Sequence, residues 1–187
     1  MKFQTPRLTL REVSFADLTS IHELLSLPET DRFNTMGIPE NMEVTAQLIL
    51  SWLEEIKNKE RNAFIFSIIL NSTNQFIGLI ALYLGKPAYK KGEVWFKTHS
   101  QQWNKGYTTE ALKCVLKFGF KELKLHRIEA GCAVENIASK RVLEKVGMIQ
   151  EGLFRANLPI RGQWIDNFEF AILDSDFDKL VHIDNPL

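Results

Sequence analysis

The chain has 187 residues, of which 45% are hydrophobic and 25% are charged, a composition typical of soluble globular proteins. We therefore expect one domain spanning residues 1–187. The 23 Lys and Arg residues balance the 23 Asp and Glu residues, so no net charge attracts the chain to nucleic acid or to an anionic membrane. Residues 1–11 lack the basic and apolar regions of a signal peptide, and no apolar run approaches the roughly 18 residues of a membrane helix. These features predict a cytoplasmic protein without a membrane or nucleic-acid partner.

The two cysteines, Cys114 and Cys132, lie in separate apolar-rich segments that contain no CxxC or Cys/His cluster. Free cysteine is among the residue types that are most often buried. We therefore expect two buried thiols, no disulfide framework and no metal site.

The first half of the chain predicts one strand, two helices and three further strands. Apolar residues alternate with polar ones or are β-branched in the strands, whereas in the helices they recur every three or four positions. Residues 29–40, which are rich in helix-breaking Pro and Gly, form a predicted loop between the helices. In chain order the elements are a strand at 8–13, helices at 15–28 and 44–56, and strands at 64–70, 76–84 and 92–98.

The second half predicts two helices and three strands, without a repeat or a low-complexity linker. The resulting order of elements favours an α/β (α+β) fold in which helices cover both faces of a mixed sheet. The predicted elements are a helix at 108–123, a strand at 127–134, a helix at 136–146, and strands at 153–158 and 164–173.

Positive charge is concentrated between residues 86 and 127, where ten basic residues stand against three acidic ones. Four of these lysines recur at helical spacing within the predicted helix and so form one stripe, opposite its apolar face. The stripe is either a solvated helix face or a basic rim beside an anionic ligand. Nucleic-acid binding is disfavoured because no aromatic residues interleave with the lysines. The stripe consists of Lys113, Lys117, Lys121 and Lys124.

The segment from Asn104 to Thr109 leads into the predicted helix 108–123 and has the character of an anion site. The first turn of a helix leaves several backbone N–H groups unpaired, and such groups bind anions. Gly106 permits a positive φ and a close approach to the backbone, while Thr108 can offer a hydroxyl. The segment matches neither a Walker A loop nor a dinucleotide fingerprint.

Two sequence segments together resemble the GCN5-related N-acetyltransferases, most closely the RimJ/RimL-like ribosomal-protein N-terminal acetyltransferases. They are EVWF at 93–96 with WNKGYTTEAL at 103–112, and NIASKRVLEKVGM at 136–148. The opening TPRLTLR at 5–11 is also similar, so the resemblance covers nearly the whole chain. It implies a mostly antiparallel sheet whose central strands splay apart, and acetyl-CoA as the acetyl donor.

The resemblance also implies how acetyl-CoA is held. The pyrophosphate would lie on the backbone amides of the turn, and the thioester oxygen on amides of the strand at Phe96 and Lys97. The sequence departs from the family pattern at Trp103 and at Thr108, neither of which removes an amide. The turn residues implied to bind are Asn104, Lys105, Gly106, Tyr107, Thr108 and Thr109.

The second motif supplies candidates for the thiol end of the substrate. By resemblance, Asn136 contacts the pantetheine arm and Ser139 lies near the sulfur, where its hydroxyl can assist protonation of the thiolate. Asn136 is equally an ordinary helix N-cap, since Asn is favoured at that position. Many family members carry a tyrosine as the acid four residues after the serine position, where this chain has Leu143.

The general base is a choice between Glu93, at the start of its strand, and Asp166. Glu93 could take the proton through water, or it could be a plain surface carboxylate. A peptide α-amino group has a pKa of about 7.7 to 8.0, against about 10.4 for Lys, so a weakly basic acceptor needs little help from a base. This chemistry favours a protein N-terminus as the acceptor.

The acceptor itself stays open at this stage. The leading hypothesis is an acetyl-CoA-dependent N-acetyltransferase acting on a primary amine, either a protein N-terminus or a small molecule such as a polyamine, an amino acid or an antibiotic. The alternative is a non-catalytic acyl-CoA-binding module. The last hairpin also offers an edge strand through which a homodimer could form. The candidates to line the acceptor pocket, most of whose aromatic members are equally expected in the core, are Phe33, Trp52, Phe154, Arg155 and Trp164.

Overall fold

The structure is a computed structural model that describes residues 1–184. Eight strands form one sheet in the order β1-β2-β3-β4-β5-β6-β8-β7. The strands are β1 Lys2–Gln4, β2 Leu8–Glu12, β3 Ala63–Leu70, β4 Phe76–Leu84, β5 Lys91–Thr98, β6 Arg127–Ala133, β7 Ile149–Ile160 and β8 Gln163–Leu173. The helices are α1 Leu18–Ser26, α2 Pro28–Asp31, α3 Met42–Lys57, α4 Tyr107–Lys117, α5 Ile137–Lys145 and α6 Asp174–Asp184.

All neighbouring strands are antiparallel except β5 and β6, which are parallel. The parallel pair is joined through α4, because a parallel connection needs a long crossover. The predicted mixed, mostly antiparallel sheet with helices is therefore confirmed.

The parallel pairing between β5 and β6 is short. It joins only Lys91–Glu93 to Arg127–Glu129, although both strands continue. Beyond it β5 stays paired with β4 as far as Thr98, and β6 stays paired with β8 as far as Ala133. The two strands therefore part and leave an opening between 94–98 and 130–133, which we call the wedge.

Each face of the sheet carries its own apolar core. On one face α4 and α5 pack on the sheet, and Val94 and Phe96 of β5 belong to this core. On the other face α1 and α3 pack on the sheet, and Trp95 belongs to that core. Because successive residues of a strand point to opposite faces, Glu93 and Lys97 lie on the α3 face together with Trp95. The strand β5 thus presents different side chains to the two sides of the wedge.

Three elements were not predicted from the sequence. The strand β1 has three residues and the helix α2 has four, so neither is long enough to show a periodicity. The helix α6 follows β8 without a break, so no turn residues announce it. The predicted helix 108–123 leaves the α-helical form after Lys117 and continues as a π-helical segment, Phe118–Glu122.

The expectation of two buried thiols was half wrong. Cys132 is buried, but Cys114 on α4 is only half-buried, because it lies at the edge of the helix face that packs on the sheet. Burial raises the pKa of the Cys132 thiol to about 11. Within the described residues, no helix has the length and apolar character that crossing a membrane requires.

Candidate active site

The turn before α4 carries a run of backbone N–H groups without partners. Asn104 and Gly106 have positive φ values of 61° and 78°, so the chain turns sharply into the helix. None of the N–H groups of residues 104–109 donates a hydrogen bond to another described residue. Unpaired N–H groups at a helix N-terminus bind anions. The turn therefore has the unpaired amides that the predicted anion site at residues 104–109 requires.

The two departures from the family pattern both tie the turn to β5. The indole Nε1 of Trp103 donates to the carbonyl oxygen of Thr98 over 2.7 Å. The hydroxyl groups of Thr98 and Thr108 lie 2.9 Å apart and share a hydrogen bond. Because Thr98 ends β5, these contacts fix the turn relative to the open end of the wedge.

Arg7 holds the turn from the other side. Its Nη1 donates to the carbonyl oxygen of Lys105 over 2.9 Å, and its guanidinium lies over the Tyr107 ring at 4.7 Å. Its Nε also pairs with Glu110 on α4 at 2.6 Å. A Cβ atom added to Gly106 would lie only 3.4 Å from Nη2 of Arg7. The positive charge of Arg7 therefore lies next to the unpaired amides of the turn. The sequence alone assigns Arg7 no role, because only the tertiary structure brings the segment between β1 and β2 to this turn.

The lysine stripe behaves as a solvated helix face. Lys117 and Lys124 are exposed, and Lys121 forms an ion pair with Asp178 of α6. The cations nearest the turn are instead Arg7 and Lys105, whose Nζ donates to Gln102 over 3.0 Å. Positive charge at the candidate anion site thus comes mainly from the turn itself and from Arg7, which immediately precedes β2.

Glu93 lies at the point where the strands part. It is opposite Glu129 in the last residue pair between β5 and β6. Glu93 is exposed to solvent, but partial desolvation first, and then the charges of Glu169 and Glu129, raise its pKa above the ordinary value. Glu129 is neutralised by Lys91 at 3.0 Å and Arg127 at 2.5 Å, whereas Glu93 has no ion-pair partner among the described residues. Glu93 thus has the properties of a carboxylate able to accept a proton.

Asp166, the second candidate base, has a structural use. Its carboxylate accepts the Ala156 N–H over 2.7 Å, and its carbonyl accepts the Val134 N–H over 3.1 Å. Ala156 sits where the pairing between β7 and β8 shifts register. Asp166 therefore holds this irregularity in the hairpin.

Asn136 and Ser139 lie at the N-terminus of α5. Asn136 caps the helix, since its Oδ1 accepts the Ser139 N–H over 3.1 Å. The Asn136 amide NH₂ and the Ser139 hydroxyl have no hydrogen-bond partner within the described residues, and both residues are half-buried. Leu143 is 1% exposed and belongs to the α4-face core. The position at which many family members carry a tyrosine acid therefore holds an apolar core residue in this chain.

Lys97 has an environment that was not foreseen. It was predicted to act through its backbone, but its side chain is also notable, because Nζ is enclosed and has no hydrogen-bond partner. Burial lowers the pKa of Lys97 to about 8, and the charge of Asp31 only partly opposes this effect. Its place on the same face as Trp95 was available from the alternation along β5, but its burial was not.

The residues named as lining candidates for the acceptor pocket differ in exposure. Trp52 is 8% exposed and packs against Trp95 at 6.3 Å, so it belongs to the α3-face core. Phe154 and Trp164 of the β7–β8 hairpin are 52% and 67% exposed. Arg155 is also exposed, and Phe33 is half-buried beneath Arg32.

Comparison with known proteins decides the family. The family model of the Acetyltransferase (GNAT) domain matches residues 7–149. The chain belongs to the GNAT acetyltransferase family. It is 37% identical over 95% of its length, and 100% of the other chain, to the Bacillus subtilis protein named Uncharacterized N-acetyltransferase YnaD. It is also 33% identical to the acetyltransferase (GNAT family) from Bacillus anthracis, with a TM-score of 0.81 over 94% of this chain and 99% of that one. The protein is therefore an N-acetyltransferase.

Two other solved acetyltransferases share the fold at equal TM-scores of 0.81. The ribosomal-protein-S5-alanine acetyltransferase from Vibrio fischeri is 22% identical, covering 95% of this chain and 98% of that one. The spermidine N-acetyltransferase from Vibrio cholerae, in complex with CoA and spermine, is 23% identical, covering 92% and 99%. At this distance the likeness describes the fold alone.

Replacing Arg7 tests its role at the turn of this acetyltransferase. We expect Arg7→Ala to raise the dissociation constant for acetyl-CoA by about tenfold, the size of one lost charge-assisted hydrogen bond. Calorimetric titration with acetyl-CoA measures the change. The exposed Arg155→Ala is the matched control, and an equal effect of both variants would contradict the assignment.

The burial of Lys97 predicts a pH-dependent stability. Its pKa is about 8 in the folded enzyme and near 10.5 when unfolded, so between these values only the unfolded chain keeps the proton and wild-type stability rises with pH. Lys97→Met lacks this ionisation. We expect the variant to exceed wild type in free energy of unfolding at pH 7, and the difference to shrink by pH 10.

Denaturant titrations at the two pH values measure that difference. Lys59→Met, at an exposed lysine between α3 and β3, is the control and should show no pH-dependent difference from wild type. The prediction is contradicted if the difference in free energy of unfolding between Lys97→Met and wild type is the same at pH 7 and at pH 10. Burial of the Lys97 ammonium would then not destabilise the folded enzyme.

Proposed function

We propose that this enzyme transfers an acetyl group from acetyl-CoA to the α-amino group of a peptide or protein N-terminus. The observation that carries the proposal is the wedge, which has unpaired turn amides on its α4 side and the carboxylate of Glu93 on its α3 side. Such an arrangement lets donor and acceptor approach the same gap from opposite faces of the sheet.

The donor would be held by backbone more than by side chains. The pyrophosphate would accept hydrogen bonds from the N–H groups of residues 104–109, with Arg7 adding positive charge. The pantetheine arm would enter the wedge, where the edge of β5 that faces β6 is unpaired beyond Glu93. The free amide NH₂ of Asn136 can donate to the arm. The thioester oxygen would lie on the β5 backbone at Phe96 and Lys97, which stabilises the charge that develops on it.

The reaction moves one proton from nitrogen to sulfur. The lone pair of the neutral amine attacks the thioester carbonyl carbon, so that a C–N bond forms and the C–S bond breaks. Glu93 takes the proton from the nitrogen, directly or through a water molecule. The Ser139 hydroxyl delivers a proton to the departing thiolate and regains one from solvent, so CoA leaves as the thiol and the acceptor as the amide.

The chemistry of the acceptor favours an α-amine. A peptide N-terminus, with a pKa of about 7.7 to 8.0, is partly neutral at pH 7, whereas a lysine side chain is almost wholly charged. Glu93, with its raised pKa, is a stronger base than an ordinary carboxylate and suits such an acceptor.

A polyamine is the second candidate acceptor. The carboxylates of Glu93, Glu129 and Glu169 lie on one face of the sheet, and a polycation would be attracted to them. Two of these carboxylates have no ion-pair partner in the described part of the chain, namely Glu93 and Glu169. The spermidine N-acetyltransferase from Vibrio cholerae shares this fold at a TM-score of 0.81, the same value as the ribosomal-protein-S5-alanine acetyltransferase.

Thermal unfolding in the presence of acetyl-CoA tests donor binding. A ligand at a hundred times its dissociation constant adds about 2.7 kcal/mol to the stability of the native state. For a chain of this size that is a rise in midpoint of about 5–10 °C. ATP and pyrophosphate are the controls. An absent shift with millimolar acetyl-CoA would overturn the proposed function.

An acceptor panel then separates the two candidates. Free CoA release is measured with a peptide bearing a free N-terminus, with the same peptide N-acetylated but carrying a lysine, and with spermidine. Turnover of the first alone is the expected result. Preferential turnover of spermidine would identify a polyamine as the acceptor. Binding of acetyl-CoA without release of free CoA in the presence of any of the amines would identify a non-catalytic module.

Substitution of Glu93 tests the base. We expect Glu93→Gln to lower kcat by about a hundredfold, the lower end of what general-base catalysis contributes, without changing the KM for acetyl-CoA. In the wild type, activity should rise with pH through the raised pKa of Glu93, because the carboxylate must be unprotonated. This rise of activity with pH should be missing in Glu93→Gln.

Steady-state rates between pH 5 and pH 9 measure both effects. The exposed Glu54→Gln on α3 is the matched control and should behave as wild type. A Glu93→Gln enzyme that keeps full kcat and the same pH profile would remove Glu93 from the mechanism.

A further inference from the structure

Three enclosed polar atoms lack hydrogen-bond partners in the described structure, and they come from only two elements. They are Oγ1 of Thr30 and Oδ1 of Asp31, both on α2, and Nζ of Lys97 on β5. Folded proteins satisfy nearly all of their buried polar groups, and an exception calls for a specific explanation such as a functional role or a bound molecule. Because the charge of Asp31 acts on Lys97, the cation and the α2 acceptors need an explanation together.

The Asp31 carboxylate pairs with Arg161 and not with Lys97. It is 7% exposed, and its Oδ2 accepts hydrogen bonds from Nε and Nη2 of Arg161 at 3.1 and 2.8 Å. Arg161 lies in the turn between β7 and β8, so the hairpin fixes the carboxylate and leaves Oδ1 free. The charge of Asp31 acts on Lys97, yet the two groups form no ion pair within 4.0 Å. A cation and an anion are thus held near each other but apart.

We propose that Lys97, Asp31 and Thr30 bind the first peptide group of the acceptor. A peptide group offers both kinds of hydrogen-bonding partner that the three side chains lack. The Lys97 ammonium donates to its carbonyl oxygen, and Asp31 Oδ1 or Thr30 Oγ1 accepts its N–H. The inference rests on the proposed function, and it names the acceptor class as peptides.

The position of Lys97 suits this role. Its backbone lies in the segment of β5 that borders the wedge, and its side chain projects on the face opposite α4 and the pyrophosphate turn. An acceptor whose amine reaches the wedge from the α3 face meets this side chain next. A polyamine would instead place a second cation beside the Lys97 ammonium, and it has no carbonyl oxygen to accept the Lys97 hydrogen bond.

Access to the three atoms requires a movement of α2. The atoms are enclosed, and two of them belong to α2, a helix of only four residues. The side-chain ion pair from Arg161 to Asp31 anchors this short helix to the hairpin. A displacement of α2 would open the site, and a bound peptide group would then satisfy the atoms that the closed form leaves unpaired.

Peptide binding to the CoA-loaded enzyme tests the inference without requiring turnover. The probes are a tetrapeptide with a free N-terminus, and spermidine and butylamine, which have no peptide group. We expect Lys97→Met to raise the peptide dissociation constant by about tenfold, the loss of one charge-assisted hydrogen bond. Butylamine binding should stay within about twofold of wild type, and spermidine should bind more tightly. Calorimetry with saturating CoA measures all three.

Two further variants keep the test decisive. Thr30→Val removes one acceptor with little change of shape and should weaken peptide binding but not butylamine binding. Lys59→Met is the matched exposed control. An unchanged ratio of peptide to butylamine affinity in Lys97→Met would overturn the inference, even where its stability rises as predicted above. An enzyme that binds peptide through Lys97 but turns over no amine would instead overturn the proposed function alone.

Discussion

β5 and β6 share backbone hydrogen bonds only as far as Glu93 and Glu129, and each strand then follows its antiparallel neighbour. Two strands that are each fully paired on one side can separate on the other without losing their own ladders. The exposed backbone edge of β5 can then pair with a ligand in place of a strand. Every other feature of the candidate active site is arranged around this opening.

The side chains of β5 divide the work between the two sides of the wedge. Phe96 enters the core beneath α4, whereas Glu93 and Lys97 share the other face with Trp95. Burial acts on the two charged groups in opposite directions, since it raises the pKa of the carboxyl and lowers that of the ammonium. In both cases the neutral form becomes easier to reach near neutral pH, which suits groups that exchange protons or meet an amine.

The turn before α4 depends on contacts from distant parts of the chain. Arg7, just before β2, donates to the carbonyl of Lys105, and the carbonyl of Thr98 at the end of β5 accepts from the Trp103 indole. With its carbonyl groups and side chains so engaged, the turn keeps its N–H groups free for a ligand. Thr108, an unusual residue for the family pattern, uses its hydroxyl on Thr98 and so helps to place the turn instead of blocking it.

The sequence alone determined seven of the eight described strands, the helices α1, α3, α4 and α5, and the turn before α4, because each depends on local periodicity or on backbone conformation at residues such as Gly106. It also identified Glu93, Asn136 and Ser139 as candidates from their place in two motifs. It did not determine where β5 and β6 part, the role of Arg7, or the enclosed atoms of Asp31 and Lys97. These features depend on contacts between residues that are far apart in the chain, and burial and pairing at such distances are decided only when the elements pack.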